Sequence, residues 1–467
     1  MATSRSRSAA TASKGAQAPA AHRNRQQRND IGRAVRDAVA RSSHGEWKAA
    51  RDRPDPVAVL EASSKGRLPE LIPIRYGRML RSPFTFLRGA AAVMAQDLAA
   101  TPVTGFDVQA CGDCHLLNFG LFATPERNLV FDLNDFDETL PGPWEWDLKR
   151  LCASVMVAGR DCGLSDAQAL DAVREASRAY REHLRECAAL TPMEVWYQRL
   201  DIQTIIDAAP DAKSREFREQ LAKQARRRII DHLFPKLATI EGGEIRLVDQ
   251  PPLLFHPDEP DLHERMTAAL REYRASLSDE RRVLLDRYRA VDCALKVVGI
   301  GSVGTRCYVV LMVSDDNDPL ILQVKEAGRS VLEPHLRKSV YANQGQRVVM
   351  GQRLMQSSSD IFLGWMRGKD GLDFHVRQLR DMKMSIPVEG FDAGQLARYA
   401  RGCGWSLARA HAKTGDAASI AGYLGKSERM DETLGQFARI YADQTERDHA
   451  LLAKAVRQGR VEAVVEA

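Results

Sequence analysis

Residues 111–138, CGDCHLLNFGLFATPERNLVFDLNDFDE, set two apolar segments beside two clusters of carboxylates and amides. Asp113, Asn118, Asp132 and Asp135 are too polar for a core and too regularly placed for an arbitrary loop. A fold that accepts this stretch has to put a Gly-Asp-x-His-x-x-Asn turn and an Asn-Asp-Phe-Asp-Glu turn on the ends of neighbouring strands, read here over 106–110 and 128–134. Packing alone gives no reason for that arrangement. Phosphoryl transfer does, because it needs a carboxylate beside the nucleophile and an Asn plus an Asp on Mg²⁺. Asp113, preceded by Gly112 for a tight turn, is the expected acceptor of the attacking hydroxyl's proton. Asn118 and Asp135, or Asp132 in its place, are the expected metal ligands. Each residue alone also suits an Asx turn; the set of four is what points to a site.

A second motif lies far downstream. Gly299-Ile300-Gly301-Ser302-Val303-Gly304 fits GxGxxG, but the strand-like Thr305-Arg306-Cys307-Tyr308-Val309-Val310-Leu311 follows it. A dinucleotide-binding fold needs a helix there. The loop is therefore expected at the tip of a β-hairpin, with the backbone N–H groups of Gly299, Gly301, Ser302 and Gly304 covering a triphosphate. Lys325 ends the apolar run Leu320-Ile321-Leu322-Gln323-Val324 and is placed to pair with the α- and β-phosphates. A flexible turn and a solvated lysine are the plain alternatives.

The net charge of +5 over 467 residues is a local effect. Residues 1–29 hold six Lys/Arg and no acid, and without them the body carries 61 basic and 62 acidic residues. That balance argues against a global nucleic-acid footprint. The basic stretch reads as a disordered tail over 1–45, without the apolar h-region of a secretory signal. No run of about 18 apolar residues marks a membrane span. The eight cysteines, with no export signal, are expected reduced, and the protein cytoplasmic.

The length predicts several coupled lobes: a mostly helical catalytic-loop lobe over 46–290, a β-rich lobe over 291–385 and C-terminal helices over 386–467. A helix is expected after Ser82-Pro83, and a pair over 144–187 with Ser165 as the second cap. Trp144 and Trp146 are read as packing residues, His115 as a residue orienting its loop through the backbone, and Asp147 as either a helix cap or a brace for the metal loop. Residues 211–233 read as a charged amphipathic helix with a solvated face. Gly242-Gly243 and Pro251-Pro252 suggest a boundary. Residues 361–366 and 374–379 suggest a hairpin across Gly368-Lys369-Asp370-Gly371.

The strings SPFTFLRG, GDCHLLNFG, FDLNDFDE with PGPWEWDLKRL, QRVVMGQRLMQ with DIFLGW, and YADQTERDH identify the chain as a member of a bacterial family known only as a domain of unknown function. More remotely, GD-x-H-x-x-N followed by Asp-Phe-Asp and then Asp-Leu resembles aminoglycoside and choline phosphotransferases of the protein-kinase-like superfamily. That resemblance implies an α+β, two-lobed kinase-like fold using ATP and Mg²⁺. It would make Asp113 the base, Asn118 and Asp135 the metal ligands, Asp147 the structural aspartate, and Gly299, Gly301, Gly304 and Lys325 the nucleotide lobe. The motif order is reversed, which implies a circular permutation, with the helix carrying Trp405, Leu407, Ala408 and His411 rejoining the catalytic lobe. Cys111 stands where such enzymes usually carry His. Glu333, followed by Pro334, is the nearest carboxylate for Lys325.

The expected partners are a nucleotide and an unidentified small-molecule or protein acceptor, with no membrane and no nucleic acid. Two other readings stay open. One is a catalytically inactive nucleotide-binding module. The other takes Cys111-Gly-Asp-Cys114-His115 as a CxxCH haem-attachment or metal-binding motif.

Overall fold

Side-chain chemistry sets the helix starts in the computed structural model of the chain, which describes residues 22–464 apart from 229–233, 236, 242–243, 260 and 380. Ser82 and Thr85 form a reciprocal capping box that opens the helix Pro83–Gly89. Ser165 and Gln168 do the same for Asp166–Ala189. The preceding helix, Trp144–Asp161, is buried on almost every side. It packs with Asp166–Ala189, Ala393–Thr414 and Arg429–Arg457 around the larger hydrophobic core.

A four-stranded antiparallel sheet lies on this helical core, in the order Met384–Ser385, Phe119–Ala123, Leu129–Leu133, Leu200–Asp201. The strand Asp107–Ala110 belongs elsewhere and pairs with Leu140–Pro143. The two strands expected to be neighbours around the polar turns are thus in separate sheets. What places the turns together is that both leave the same hairpin, 119–133, at one end.

The second unit is a six-stranded antiparallel sheet in the order Gly364–Arg367, Asp373–Gln378, Pro319–Glu326, Cys307–Val313, Arg289–Lys296, Leu254–Phe255. The 364–378 hairpin follows its turn signal. The helices Leu262–Ala275 and Asp279–Leu285 pack on this sheet in a core of their own. The second unit therefore starts well before residue 291, because those helices bury their apolar face against strands that come later in the chain. The chain as a whole is a mixed α+β protein with several antiparallel sheets.

The expected tail is overturned over its second half. Arg25–Ala38 is a helix with its own Asn24 capping box, docked on Ala417–Leu424. Arg28, one of the basic residues that suggested disorder, docks with two later arginines: it pairs with Asp416 at 2.9 Å, Arg36 donates to the Tyr423 carbonyl at 2.8 Å and Arg41 to the Leu424 carbonyl at 2.7 Å. Guanidinium groups at a helix C-terminus satisfy its orphan carbonyls. Residues 1–21, Gly242-Gly243 and the end of the charged helix at 229–233 lie outside the described residues; the rest of that helix runs Ala212–Arg226. Among the described residues no helix is long and apolar enough to cross a membrane.

Candidate functional site

The first polar turn is held from beneath by the start of the helix Trp144–Asp161. Asp147 accepts the N–H groups of Cys111 at 2.6 Å and Gly112 at 2.9 Å. His411 Nε2 lies 3.2 Å from the same carboxylate, and Tyr180 fixes the other ring nitrogen at 2.8 Å. Asp147 is thus a brace for the loop. Two turns on, Ser154 accepts the Leu116 N–H at 2.8 Å. Arg150 reaches Asp113 through Nε at 2.5 Å. Burial pushes the Asp113 carboxyl above the ordinary carboxylate range, against the pull of Arg150. Asn118 uses its amide nitrogen on the Asp113 carbonyl, which leaves its amide oxygen free to accept or ligate.

The second turn carries two kinds of aspartate. Asp132 is 1% exposed and paired with Arg409, itself 1% exposed, at 2.8 Å; it also accepts the Ser357 N–H at 2.8 Å. Its position within the strand Leu129–Leu133 turns it inward, so the expectation of a metal ligand at Asp132 is corrected: its lone pairs are committed. Asp135 faces outward into a cavity of about 460 Å³. Burial opposes its charge, but Lys325, Lys383 and Arg377 outweigh burial and hold its pKa below the usual carboxylate range.

The same cavity is lined by Asp113, Asn118, Gly299, Gly301 and Ser302. Gly304 is left out; its carbonyl accepts the Leu68 N–H at 2.7 Å, anchoring the hairpin stem. Lys325, 3% exposed, stands behind the wall, 3.7 Å from Asp135 and bonded directly to Asp137. Asp137 lines the cavity and also accepts the Ser302 hydroxyl at 3.3 Å. One carboxylate therefore links the lysine, the glycine hairpin and the acidic turn.

Glu333 is not the partner of Lys325; it accepts the Ser339 N–H at 3.3 Å. The helix Gln344–Met355 presents Arg347 instead, which grips the carbonyls of Asp137 and Gly328 at 2.8 Å and of Thr139 at 2.7 Å. Trp144 and Trp146 pack, being 0% and 5% exposed. His115 lines the cavity with Nδ1 buried and unpartnered. Burial, with Arg88 and Arg150 nearby, keeps the imidazole neutral. Cys111 and Cys114 are both fully buried beneath the loop, which leaves no face for a haem. The Cys111 thiol donates to the Asp135 carbonyl at 3.2 Å.

Sequence reasoning missed Asp137 and Glu138, although both stand in the Asn-Asp-Phe-Asp-Glu string. It also missed Arg67, Arg75 and Arg88, which line the cavity from the segment before the first strand; the Arg of SPFTFLRG was the available signal. The chain belongs to a family of uncharacterised proteins conserved in bacteria (DUF2252), whose model matches residues 67–455. No curated protein and no solved structure matches it.

Proposed function

We propose that the protein is a Mg²⁺- and ATP-dependent phosphotransferase whose two lobes correspond to a circularly permuted kinase-like arrangement. The observation that carries this reading is the shared cavity: a glycine-rich hairpin and an Asp/Asn/Asp set, far apart in sequence, line one space, with a buried lysine behind its wall 3.7 Å from Asp135. The donors are oxygens, as Mg²⁺ requires. Among the described residues no group of three or more His, Cys, Asp or Glu could hold a metal by itself. That suits an ion bound by one or two carboxylates plus substrate phosphates. Asn118 and Asp135 would hold it, with Asp137 beside them, and it would neutralise charge on the phosphate oxygens. Asp113 would orient and deprotonate the acceptor hydroxyl, the hairpin N–H groups would cover the phosphates, and Lys325 would fix Asp135 and Asp137 until a nucleotide competes for its ammonium.

One observation favours a second reading, a nucleotide-binding module without turnover: Asp113 is engaged by Arg150, which weakens it as a base. Calorimetric titration of Mg-ATP and an ATP-consumption assay separate the two. Wild type is expected to bind, Asp135→Asn to lose roughly tenfold or more in affinity, and Asp113→Ala to bind but not turn over. Binding without consumption in wild type, with every acceptor tried, selects the module; no binding at all removes both readings.

A further inference from the structure

The cations around the cavity are unevenly matched. Each of its carboxylates has a partner from outside the segment 56–93. Asp113 has Arg150, Asp135 and Asp137 have Lys325, and Glu326 has Arg306 at 3.2 Å. Glu138 accepts the Val331 N–H at 2.7 Å.

Three guanidinium groups on the opposite account have no such match. Arg75 is 2% exposed and donates only to neutral oxygens: Ser64 at 2.8 Å, the Gly89 carbonyl at 3.0 Å, Ser63 at 3.3 Å and the Leu60 carbonyl at 3.4 Å. Its Nε is buried without a partner. Arg67 donates to the carbonyls of Val303 at 2.5 Å and Ser63 at 3.1 Å. Arg88 touches the Phe84 ring at 5.9 Å and its Nε is also buried and unpartnered. Among the described residues none of the three has a carboxylate within ion-pairing distance. The nearest acidic groups facing them are Glu138, Glu326 and Asp137 for Arg67, and Glu389 and Asp113 for Arg88.

A buried guanidinium without a counter-ion is costly unless something anionic completes it. Arg75 is buried and Arg67 and Arg88 are half-buried; three cations without counter-ions on one cavity wall, with planar donor forks, match the geometry of a phosphate-type oxyanion. We propose that Arg67, Arg75 and Arg88 form a metal-independent site for such an oxyanion. Under the phosphotransfer reading, on which this last step rests, the group belongs to the acceptor, which is then an anionic small molecule such as a phosphate ester. The wall adjoins the glycine hairpin: Arg67 holds the Val303 carbonyl, and the Arg88 carbonyl lies 3.4 Å from where a Cβ on Gly301 would sit.

The test is calorimetric titration of inorganic pyrophosphate in EDTA into the full chain. Wild type is expected to bind, and Arg88→Gln and Arg67→Gln to weaken binding about tenfold or more. Thermal unfolding of both arginine variants, with midpoints near wild type, shows that the loss is one of binding. Equal pyrophosphate affinity in wild type and both arginine variants, or no metal-free binding in wild type, overturns the site. It leaves Mg-ATP binding, titrated separately, untouched. Loss of Mg-ATP binding with pyrophosphate retained removes the phosphotransfer reading and leaves the site. In a final arm wild type is saturated with a non-hydrolysable Mg-ATP analogue. Unchanged pyrophosphate affinity supports an acceptor subsite, and competition overturns that assignment and gives the wall to the nucleotide.

Discussion

Residues 111–118 and residues 299–302 face one cavity, but they are held by different means. The first loop rests on buried groups. Asp147 takes two of its N–H groups, Ser154 a third, and the Tyr399 hydroxyl donates to the carbonyls of Leu116 at 3.2 Å and Phe119 at 3.1 Å. The glycine hairpin hangs on side chains that reach in from outside: Arg67 on Val303, Arg78 on the Gly299 carbonyl at 2.6 Å, and Ser302 on Asp137. Contacts made in a dry interior are expensive to break, because the groups left behind lose both partner and solvent. Of the hairpin's contacts, Arg78 on Gly299 lies in the exposed layer, and those of Arg67 and Asp137 are partly buried. The acidic half is thus the more firmly fixed of the two, and the hairpin is the half whose position costs less to change.

The sharpest way to break this comparison is to strand a charge behind the acidic half. Arg409→Met leaves the Asp132 carboxylate buried without its cation and is expected to cost about 3–5 kcal/mol in urea unfolding. Adding Asp132→Asn should return a large part of that loss, since the penalty lies in the unpaired charge. A loss under about 1 kcal/mol in the single variant, the range of an exposed pair, would mean that the region is wetter and looser than its burial implies.

Gly112→Ala comes next. Gly112 has φ +85°, and a Cβ there would sit 2.3 Å from the Glu138 carbonyl oxygen. The left-handed backbone and the clash with main chain together are expected to cost about 2–4 kcal/mol. The clash also pushes the two polar turns apart. ATP consumption, if the protein has it, should therefore fall further than stability does.

Much of this architecture was legible in the sequence because its causes are local. Capping boxes at Ser82 and Ser165, the 364–378 hairpin, the placement of GxGxxG between two strands and the end-of-strand position of Lys325 all follow from neighbours within a few residues. What stayed hidden depends on partners far along the chain. Asp132 and Asp135 are indistinguishable in the string Phe-Asp-Leu-Asn-Asp-Phe-Asp-Glu until Arg409 arrives from a helix 277 residues later. Glu333 was the nearest carboxylate to offer Lys325 from the sequence, and its partner is Asp137 from the acidic turn itself, while the helix Gln344–Met355 contributes Arg347. The segment holding the Arg25–Ala38 helix read as a disordered tail because the carbonyls that satisfy Arg36 and Arg41 belong to residues 422–424. The arginine wall was missed for the same reason: a cation is recognisable as unmatched only once the carboxylates around it are seen to be taken.

The smallest expected effect is the one that isolates the hairpin. Gly299 shares the left-handed backbone of Gly112, with φ +70°, but the nearest non-neighbouring atom to a Cβ there is Ser302 Oγ at 3.8 Å. Gly299→Ala therefore meets no clash and carries only the backbone preference, about 1 kcal/mol, partly offset by the lower entropy of the unfolded alanine chain. The same substitution in the two loops should thus differ severalfold in the unfolding midpoint it moves. Under the proposed nucleotide reading, in which the hairpin covers phosphates with backbone N–H groups, the strain should register in Mg-ATP affinity as well as in stability, where Gly112→Ala would register mainly in stability and turnover. If Gly299→Ala proves as destabilising as Gly112→Ala, the hairpin is packed as tightly as the loop it faces, and access to the cavity has to come from the arginine wall instead.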